Sequence, residues 1–141
     1  MRIKTISQIH EADRWEAAVI LADARRRIQR GWTTGAWARD SERRPVDLAS
    51  SEACSFCLTG ALKAACELRG PHPQAQSWDA VFVLAYYAVY ATNPPTDRTP
   101  YGGLTGFNDA PGRNKYEVVQ ALDRAIDLAG HGRLASLGDD R

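Results

Sequence analysis

The sequence predicts an all-α fold of four main helices around a buried central helix, and it leaves room for one small β-hairpin. Residues 51–70 carry one narrow polar stripe on an otherwise apolar circumference, a pattern typical of a helix that other elements surround. Residues 80–91 are apolar without interruption, and helical periodicity appears near both ends of the chain. The polar stripe of the central helix consists of Ser55, Thr59, Lys63 and Glu67, each four residues from the next.

Length and charge limit the classes of protein that this chain can represent. Its 141 residues suit a single domain, and we expect an ordered core over about residues 7–130 with a flexible tail from 131 to 141. The 18 basic residues nearly cancel the 17 acidic ones, so the composition does not indicate dedicated nucleic-acid binding. No apolar run is long enough to cross a membrane. The odd number of cysteines and an opening without an apolar leader favour the cytoplasm.

The first helix is predicted over residues 7–30, where apolar side chains recur at helical spacing. Its arginines cluster at the carboxyl end, which suits the helix dipole; the alternative is a small patch for an acidic partner. The predicted core face is Ile9, Ala12, Trp15, Val19 and Ala22, with Ile20, Ala24 and Ile28 beside it.

The central helix should begin at a serine cap, Ser50 or Ser51, and end at Gly70. Small residues make one side of it thin, and we expect a neighbouring backbone to approach Gly60 there. Between the first and central helices, residues 32–47 contain strand-forming residues around a polar turn at 40–44, which favours a small hairpin.

Two more helices follow in the predicted order. Ser77 is the expected cap of the helix that contains the apolar run. The hydroxyls of its tyrosines Tyr86, Tyr87 and Tyr90 need water or partners, so we expect the far end of this helix to approach the surface. Residues 93–113 have no periodic pattern and are predicted to form a long connection. Asn114 and Glu117 resemble a capping box that opens the last helix, which should end at Gly130.

The three cysteines favour neither a metal nor a cofactor. Cys57 and Cys66 lie out of phase on the predicted central helix, so they could not share an ion. Cys54 would lie in the first turn, where a helix dipole lowers the pKa of a thiol. Cys54 and Cys57, with Asn108 or Asp109 to orient a substrate, are therefore the candidates for catalysis, and unreactive thiols are the alternative.

A binding site is predicted where the turn at 32–40 faces the segment 93–113. Both segments place aromatic side chains beside charged ones, and we expect Arg39 and Asp109 to form a salt bridge across the site. The alternative for residues 108–112 is a tight turn that uses its polar groups for its own hydrogen bonds. The candidate binding residues are Trp32, Trp37, Arg39, Asp40, Tyr101, Phe107, Asn108, Asp109 and Arg113.

Three sequence motifs carry a resemblance to a known family. They are WTTGAWARD at 32–40, CLTGAL at 57–62 and FNDAPGR at 107–113, the last followed by EVVQALDRAI. With these motifs in matching order, the chain resembles a family of small uncharacterised bacterial and phage proteins. The resemblance implies a helical intracellular domain of unknown function, often encoded by accessory or phage genomes.

These observations favour a non-catalytic binding module over an enzyme. The expected partner is another protein or a second copy of the chain, and inhibition of a host protein complex is one concrete form. The alternatives are a thiol-dependent enzyme and a small-ligand-binding protein with its site between the turn at 32–40 and the segment 93–113.

Overall fold

The computed structural model describes residues 9–68, 75–90 and 100–136, and this part of the chain is mostly helical. The predicted all-α class with one small sheet is therefore confirmed. The elements in chain order are α1 (Glu11–Arg30), β1 (Ala38–Arg39), β2 (Ser55–Phe56), α2 (Leu58–Glu67), α3 (Ala75–Tyr90), α4 (Pro100–Asn108) and α5 (Lys115–Ser136).

Helix α1 packs against four other elements, α2, α3, α5 and β2. Its predicted core face was wrong, because Trp15 and Val19 are about half exposed. The stripe that we placed beside that face is the buried one. Both stripes are apolar, so the sequence alone did not decide which of them the other helices would cover. The fully buried residues of α1 are Ala17, Ile20, Leu21, Ala24 and Ile28.

The arginines at the end of α1 are largely engaged within the domain. Arg25 pairs with Asp123 of α5 at 2.6 Å, and Arg27 pairs with Asp23 at 3.4 Å while it covers the ring of Phe56. These contacts fit the prediction that the cluster serves the helix end, rather than a patch for an acidic partner.

Helix α2 is buried as predicted, but it begins at Leu58, seven residues after the predicted start at 51. Cys57, not a serine, is the N-cap residue, and the backbone before it is extended. Ser50 instead accepts a hydrogen bond from the backbone of Glu52 in a local turn. Residues 51–56 have helical spacing, but residues 55–56 pair with β1 and form a strand instead. The spacing of apolar residues predicts periodicity and does not show which segments will pair.

The small sheet joins segments that are separated in the sequence. Strand β1 runs antiparallel to β2, with Ala38 opposite Phe56 and Arg39 opposite Ser55. The predicted hairpin within residues 32–47 is thus only partly correct. The polar turn at 40–44 is present and brings Pro45 back to an isolated bridge with Arg39, but the main partner of β1 is the segment that we had assigned to the central helix.

Gly60 lets the backbone of Trp37 approach α2, as the thin face predicted. A Cβ atom at this position would lie 2.0 Å from the carbonyl oxygen of Trp37. Because that oxygen belongs to the main chain, no side-chain rotation could relieve the overlap. The contact therefore fixes the segment after α1 against the first turn of α2.

Helix α4 lies inside the stretch that was predicted to be a connection without helix, so that prediction was wrong. Its three glycines hid the helix, and one of them serves close packing: a Cβ at Gly103 would lie 2.4 Å from the ring of Tyr86. Tyr86 is fully buried, whereas Tyr90, at the far end of α3, is partly exposed as expected and donates its hydroxyl hydrogen to the Gly103 carbonyl. Residues 93–99 of the predicted connection lie outside the described part of the chain.

Helix α5 begins with the predicted capping box. The Asn114 side chain accepts from the Glu117 backbone at 2.9 Å, and the Glu117 carboxylate accepts from the Asn114 backbone at 3.2 Å. The predicted end at Gly130 was wrong, since the helix continues to Ser136.

Helix α3 begins at Ala75, before its predicted cap at Ser77. Residues 137–141 lie outside the described part of the chain.

Within the described ranges, no helix has both the length and the apolar character needed to cross a bilayer.

Gly60→Ala should destabilise the domain by about 2–4 kcal/mol, because the added methyl group meets a backbone carbonyl. Gly106→Ala is the matched control: it also lies in a helix, and nothing lies within 4 Å of its Cβ position. The control should raise stability by about 0.5–1 kcal/mol. Urea denaturation of the three proteins measures both effects, and equal stability of Gly60→Ala and the parent would contradict the close approach.

Candidate binding site

The two segments predicted to form the site do meet, and the buried side chain of Asn108 joins them. Its Oδ1 accepts from the Trp32 indole at 2.7 Å and from the Leu58 backbone at 3.0 Å. Its Nδ2 donates to the Thr33 carbonyl at 3.1 Å and to the Asp109 carboxylate at 2.8 Å. An amide side chain has two donor hydrogens and two acceptor lone pairs, and all four are in use. Asn108 therefore holds the site together and has no capacity left for a ligand.

Arg39 does not form the predicted salt bridge with Asp109. Its guanidinium donates to the Thr33 hydroxyl at 3.0 Å, to the Thr34 carbonyl at 3.1 Å and to the Arg43 carbonyl at 2.8 Å. These acceptors all belong to the chain on either side of β1. The prediction was wrong because the oxygens of Thr33, Thr34 and Arg43, which are near Arg39 in the sequence, accept the hydrogen bonds of its guanidinium in place of the Asp109 carboxylate.

Asp40 organises the turn that follows β1. Its carboxylate accepts from the backbone of Glu42 at 2.9 Å and of Arg44 at 2.8 Å, and from the Arg44 guanidinium at 3.0 Å. The Arg44 backbone N–H is the main reason that the pKa of the Asp40 carboxyl lies below its ordinary value. The turn also holds Arg43 in the left-handed region at φ 68°. Asp40 thus stabilises the turn. Its hydrogen bonds account for its presence without a role in ligand binding.

Phe107 and Arg113 form another internal arrangement, at the far side of α4. The guanidinium carbon lies 3.8 Å from the centre of the Phe107 ring, and its Nε donates to the Phe107 carbonyl at 2.8 Å. Backbone hydrogen bonds from Ala110 to Phe107 and from Arg113 to Ala110 make residues 107–113 a tight turn. The backbone thus forms the turn of the alternative for residues 108–112, but the side chains of Asn108 and Asp109 also bond to residues 32–35 outside the turn. Tyr101 belongs to α4, but its side chain lies outside the described part of the structure.

Trp37 and Asp109 remain exposed after these internal bonds are assigned. They line a cleft of about 350 Å³, together with Gly35, Ala36, Cys57 and Thr105. Asp109 is held there by the Gly35 backbone, which donates to its Oδ1 at 3.3 Å. The cleft is therefore bounded by both predicted segments and by the residue that caps α2.

Trp37 combines a fixed backbone with an exposed side chain. Its carbonyl accepts from the Cys57 backbone at 3.2 Å and lies against Gly60, yet 51% of the residue surface is exposed. The Lys63 ammonium lies 4.9 Å from the ring centre, a cation–π contact.

A second, larger depression of about 600 Å³ also has Trp37 in its wall, with residues 46–50, Lys63 and Glu67. We did not predict Lys63 or residues 46–50 as part of a site, and Thr105 was included only through the segment 93–113. The polar stripe on α2 could have indicated Lys63 as a site residue, because Lys63 and Glu67 are the only partly exposed side chains of that helix.

Neither thiol occupies the environment that the catalytic hypothesis expected. Cys54 is exposed and lies before β2, outside α2, so the argument from the helix dipole does not apply to it. Cys57 is buried as the N-cap, where its sulfur accepts from the Gly60 backbone at 3.2 Å. Burial raises the pKa of the Cys57 thiol, and the negative charge of Asp109 raises it further, while the Gly60 N–H acts in the opposite direction. The thiol is accordingly protonated near neutral pH.

Among the described side chains, no three histidine, cysteine or acidic residues converge as metal ligands.

The fold and this site define a small helical domain with a cleft beside an exposed tryptophan. The chain belongs to a family of unknown function, DUF6197, whose model matches residues 13–128. That range includes most of α1, all of α2 to α4, most of α5 and every residue of the cleft. Searches of curated proteins and of solved structures found no match to this chain.

Asn108→Ala should lower the free energy of unfolding by about 3–5 kcal/mol, because it strands the Trp32 N–H, the Leu58 N–H and the Thr33 carbonyl without their partner. Asn114→Ala is the comparison, since it removes an exposed asparagine that caps α5 and should cost about 1 kcal/mol. Chemical denaturation checks both values. Similar losses in the two variants would show that the Asn108 bonds are not the main tie between the segments.

Cys57 should react with iodoacetamide much more slowly than Cys54 at neutral pH, and Asp109→Asn should lower the pKa of Cys57 because it removes a repelling charge. The raised pKa also predicts that stability falls as pH rises above about 9, since the unfolded thiol, with its ordinary pKa of 9.0, ionises first. Peptide mass spectrometry after labelling from pH 7 to about 10.5 measures the rates. Fast labelling of Cys57 at pH 7 would restore the thiol-enzyme hypothesis.

Proposed function

We propose that this chain is a non-catalytic binding module that recognises a protein partner through the surface around Trp37. The observation that carries the proposal is a large aromatic side chain, half exposed, on a backbone that Gly60 and Cys57 hold in place. Tryptophan is enriched among the residues that dominate binding energy at interfaces. A fixed backbone also reduces the entropy lost when the partner binds.

The surroundings of Trp37 support the same function. Both depressions have this residue in their walls, so a partner could cover the indole and fill concave surface beside it. The nearby charges are of both signs, with Lys63 and Glu67 in one depression and Asp109 in the other. Interfaces commonly combine a central aromatic residue with such a polar rim.

The chemistry of the site favours binding over catalysis. The Cys57 thiol is protonated at neutral pH and the Asn108 amide has no free hydrogen-bonding group. Arg39 and Asp40 are likewise committed to the turn around β1. These four side chains are therefore occupied with maintaining the fold, while Cys54 and Asp109 are the catalytic candidates that remain exposed.

In its concrete form, the proposal is a cytoplasmic accessory protein of a bacterial or phage genome that inhibits a host protein complex. Self-association into a homodimer through the same surface is the second form. Both place Trp37 in a buried position within an assembly, and neither involves a membrane or dedicated nucleic-acid binding.

Trp37→Ala should weaken binding to the partner about 30-fold, because truncation of a central interface residue costs about 2 kcal/mol or more. Trp15→Ala is the matched control: Trp15 is 48% exposed but lies on α1, and its loss should change affinity less than about threefold. The immobilised chain first captures proteins from a bacterial lysate, and calorimetry then measures the affinity of the identified partner for the three forms.

Light scattering over a range of concentrations tests the homodimer in the same three proteins. A dimer that Trp37→Ala dissociates and Trp15→Ala preserves would support self-association. If Trp37→Ala keeps parental affinity and parental oligomeric state, the surface around Trp37 is not the binding surface.

A further inference from the structure

We infer that the cleft of about 350 Å³ beside Trp37 binds a cationic group, the guanidinium or ammonium of an arginine or lysine side chain that the partner presents. This inference rests on the proposed function and specifies its chemistry. It depends on an unpaired carboxylate, an aromatic wall and a helix terminus whose donors are already occupied.

Asp109 supplies the negative charge. Its Oδ1 accepts from the Gly35 backbone at 3.3 Å and from Asn108 at 2.8 Å, so two donors fix the carboxylate. Within the described residues, its Oδ2 has no hydrogen bond and the carboxylate has no ion pair. By contrast, Asp40 and Asp123 each pair with an arginine. Asp109 is therefore oriented by the fold and left available to a cation from outside.

Trp37 supplies an aromatic wall for the same cation. A guanidinium or ammonium group gains from contact with an indole face and from a carboxylate nearby. The protein already uses this indole in that way, since the Lys63 ammonium lies 4.9 Å from its centre. The volume of the cleft lies within the range of small-ligand sites and accommodates the end of a long basic side chain.

An anion is not the expected occupant, although the first turn of α2 borders the cleft. The Leu58 N–H donates to Asn108 and the Gly60 N–H donates to the Cys57 sulfur. The helix donors that would attract an anion are thus used inside the protein. Asp109 would also repel an anion, and its charge already raises the pKa of the Cys57 thiol in the same cleft.

The test uses two probes that differ in charge but hardly in shape, N-acetyl-arginine methylamide and N-acetyl-citrulline methylamide. Nuclear magnetic resonance titration of the full chain follows the Trp37 indole N–H and the Gly35 amide. The arginine probe should shift both signals and bind about tenfold more tightly than the citrulline probe, as a charge-assisted hydrogen bond requires.

Two variants locate the interaction. Asp109→Asn keeps an oxygen for the Gly35 and Asn108 donors but removes the charge, so it should weaken the arginine probe about tenfold. Asp127→Asn removes an exposed carboxylate of α5 and should leave the affinity within about twofold. Equal binding of the two probes, or parental affinity in Asp109→Asn, would overturn the inference.

A third arm identifies the source of the cation. The pentapeptide Gly-Gly-Arg-Gly-Gly with blocked termini should bind more tightly than n-butylguanidinium, a monocation that carries the guanidinium without a peptide backbone. Equal or tighter binding of n-butylguanidinium would overturn the assignment to a protein side chain. The inference and the proposed function can fail separately: a partner that is lost in Trp37→Ala but retained at full affinity in Asp109→Asn would sustain the binding surface and exclude the cation.

Discussion

The organisation of this domain depends on the buried amide of Asn108. One side chain connects the end of α4 with the first residue of α2 and with the segment that follows α1. A buried amide is stable only when its donors and acceptors are all paired, so the three segments must remain together for any of these bonds to persist. Asn108 also donates to Asp109, one of the residues that line the cleft.

A second constraint acts through the main chain. The absence of a side chain at Gly60 allows the Trp37 carbonyl to touch α2, and the Cys57 N–H donates to the same oxygen. The backbone of Trp37 is therefore held against α2, while about half of the residue remains exposed. This separation of a fixed main chain from an exposed side chain is what makes Trp37 a preorganised contact residue.

Most of the residues that the sequence suggested for binding turn out to hold the fold together. Arg39, Asp40 and Arg113 looked available because charged residues in loops often bind ligands. Their hydrogen bonds run to the oxygens and backbone N–H groups of neighbouring residues. Polar side chains in a tight turn commonly form hydrogen bonds within that turn. A sequence pattern does not show how many of their donors and acceptors are used in this way. Of that set, Trp37 and Asp109 keep exposed groups in the cleft.

The sequence by itself determined the features that depend on near neighbours: the helical class, the capping box of Asn114, the turn after Asp40 and the thin surface at Gly60. Each follows from side-chain spacing or from bonds within about four residues. The tertiary structure alone decided which apolar stripe of α1 is buried and where α2 begins. It also decided that the glycine-rich segment around Gly103 forms a helix. These depend on partners far away in the chain, such as β1 for residues 55–56 and Tyr86 for Gly103. Burial and strand pairing are properties of two surfaces, and a local pattern describes only one of them.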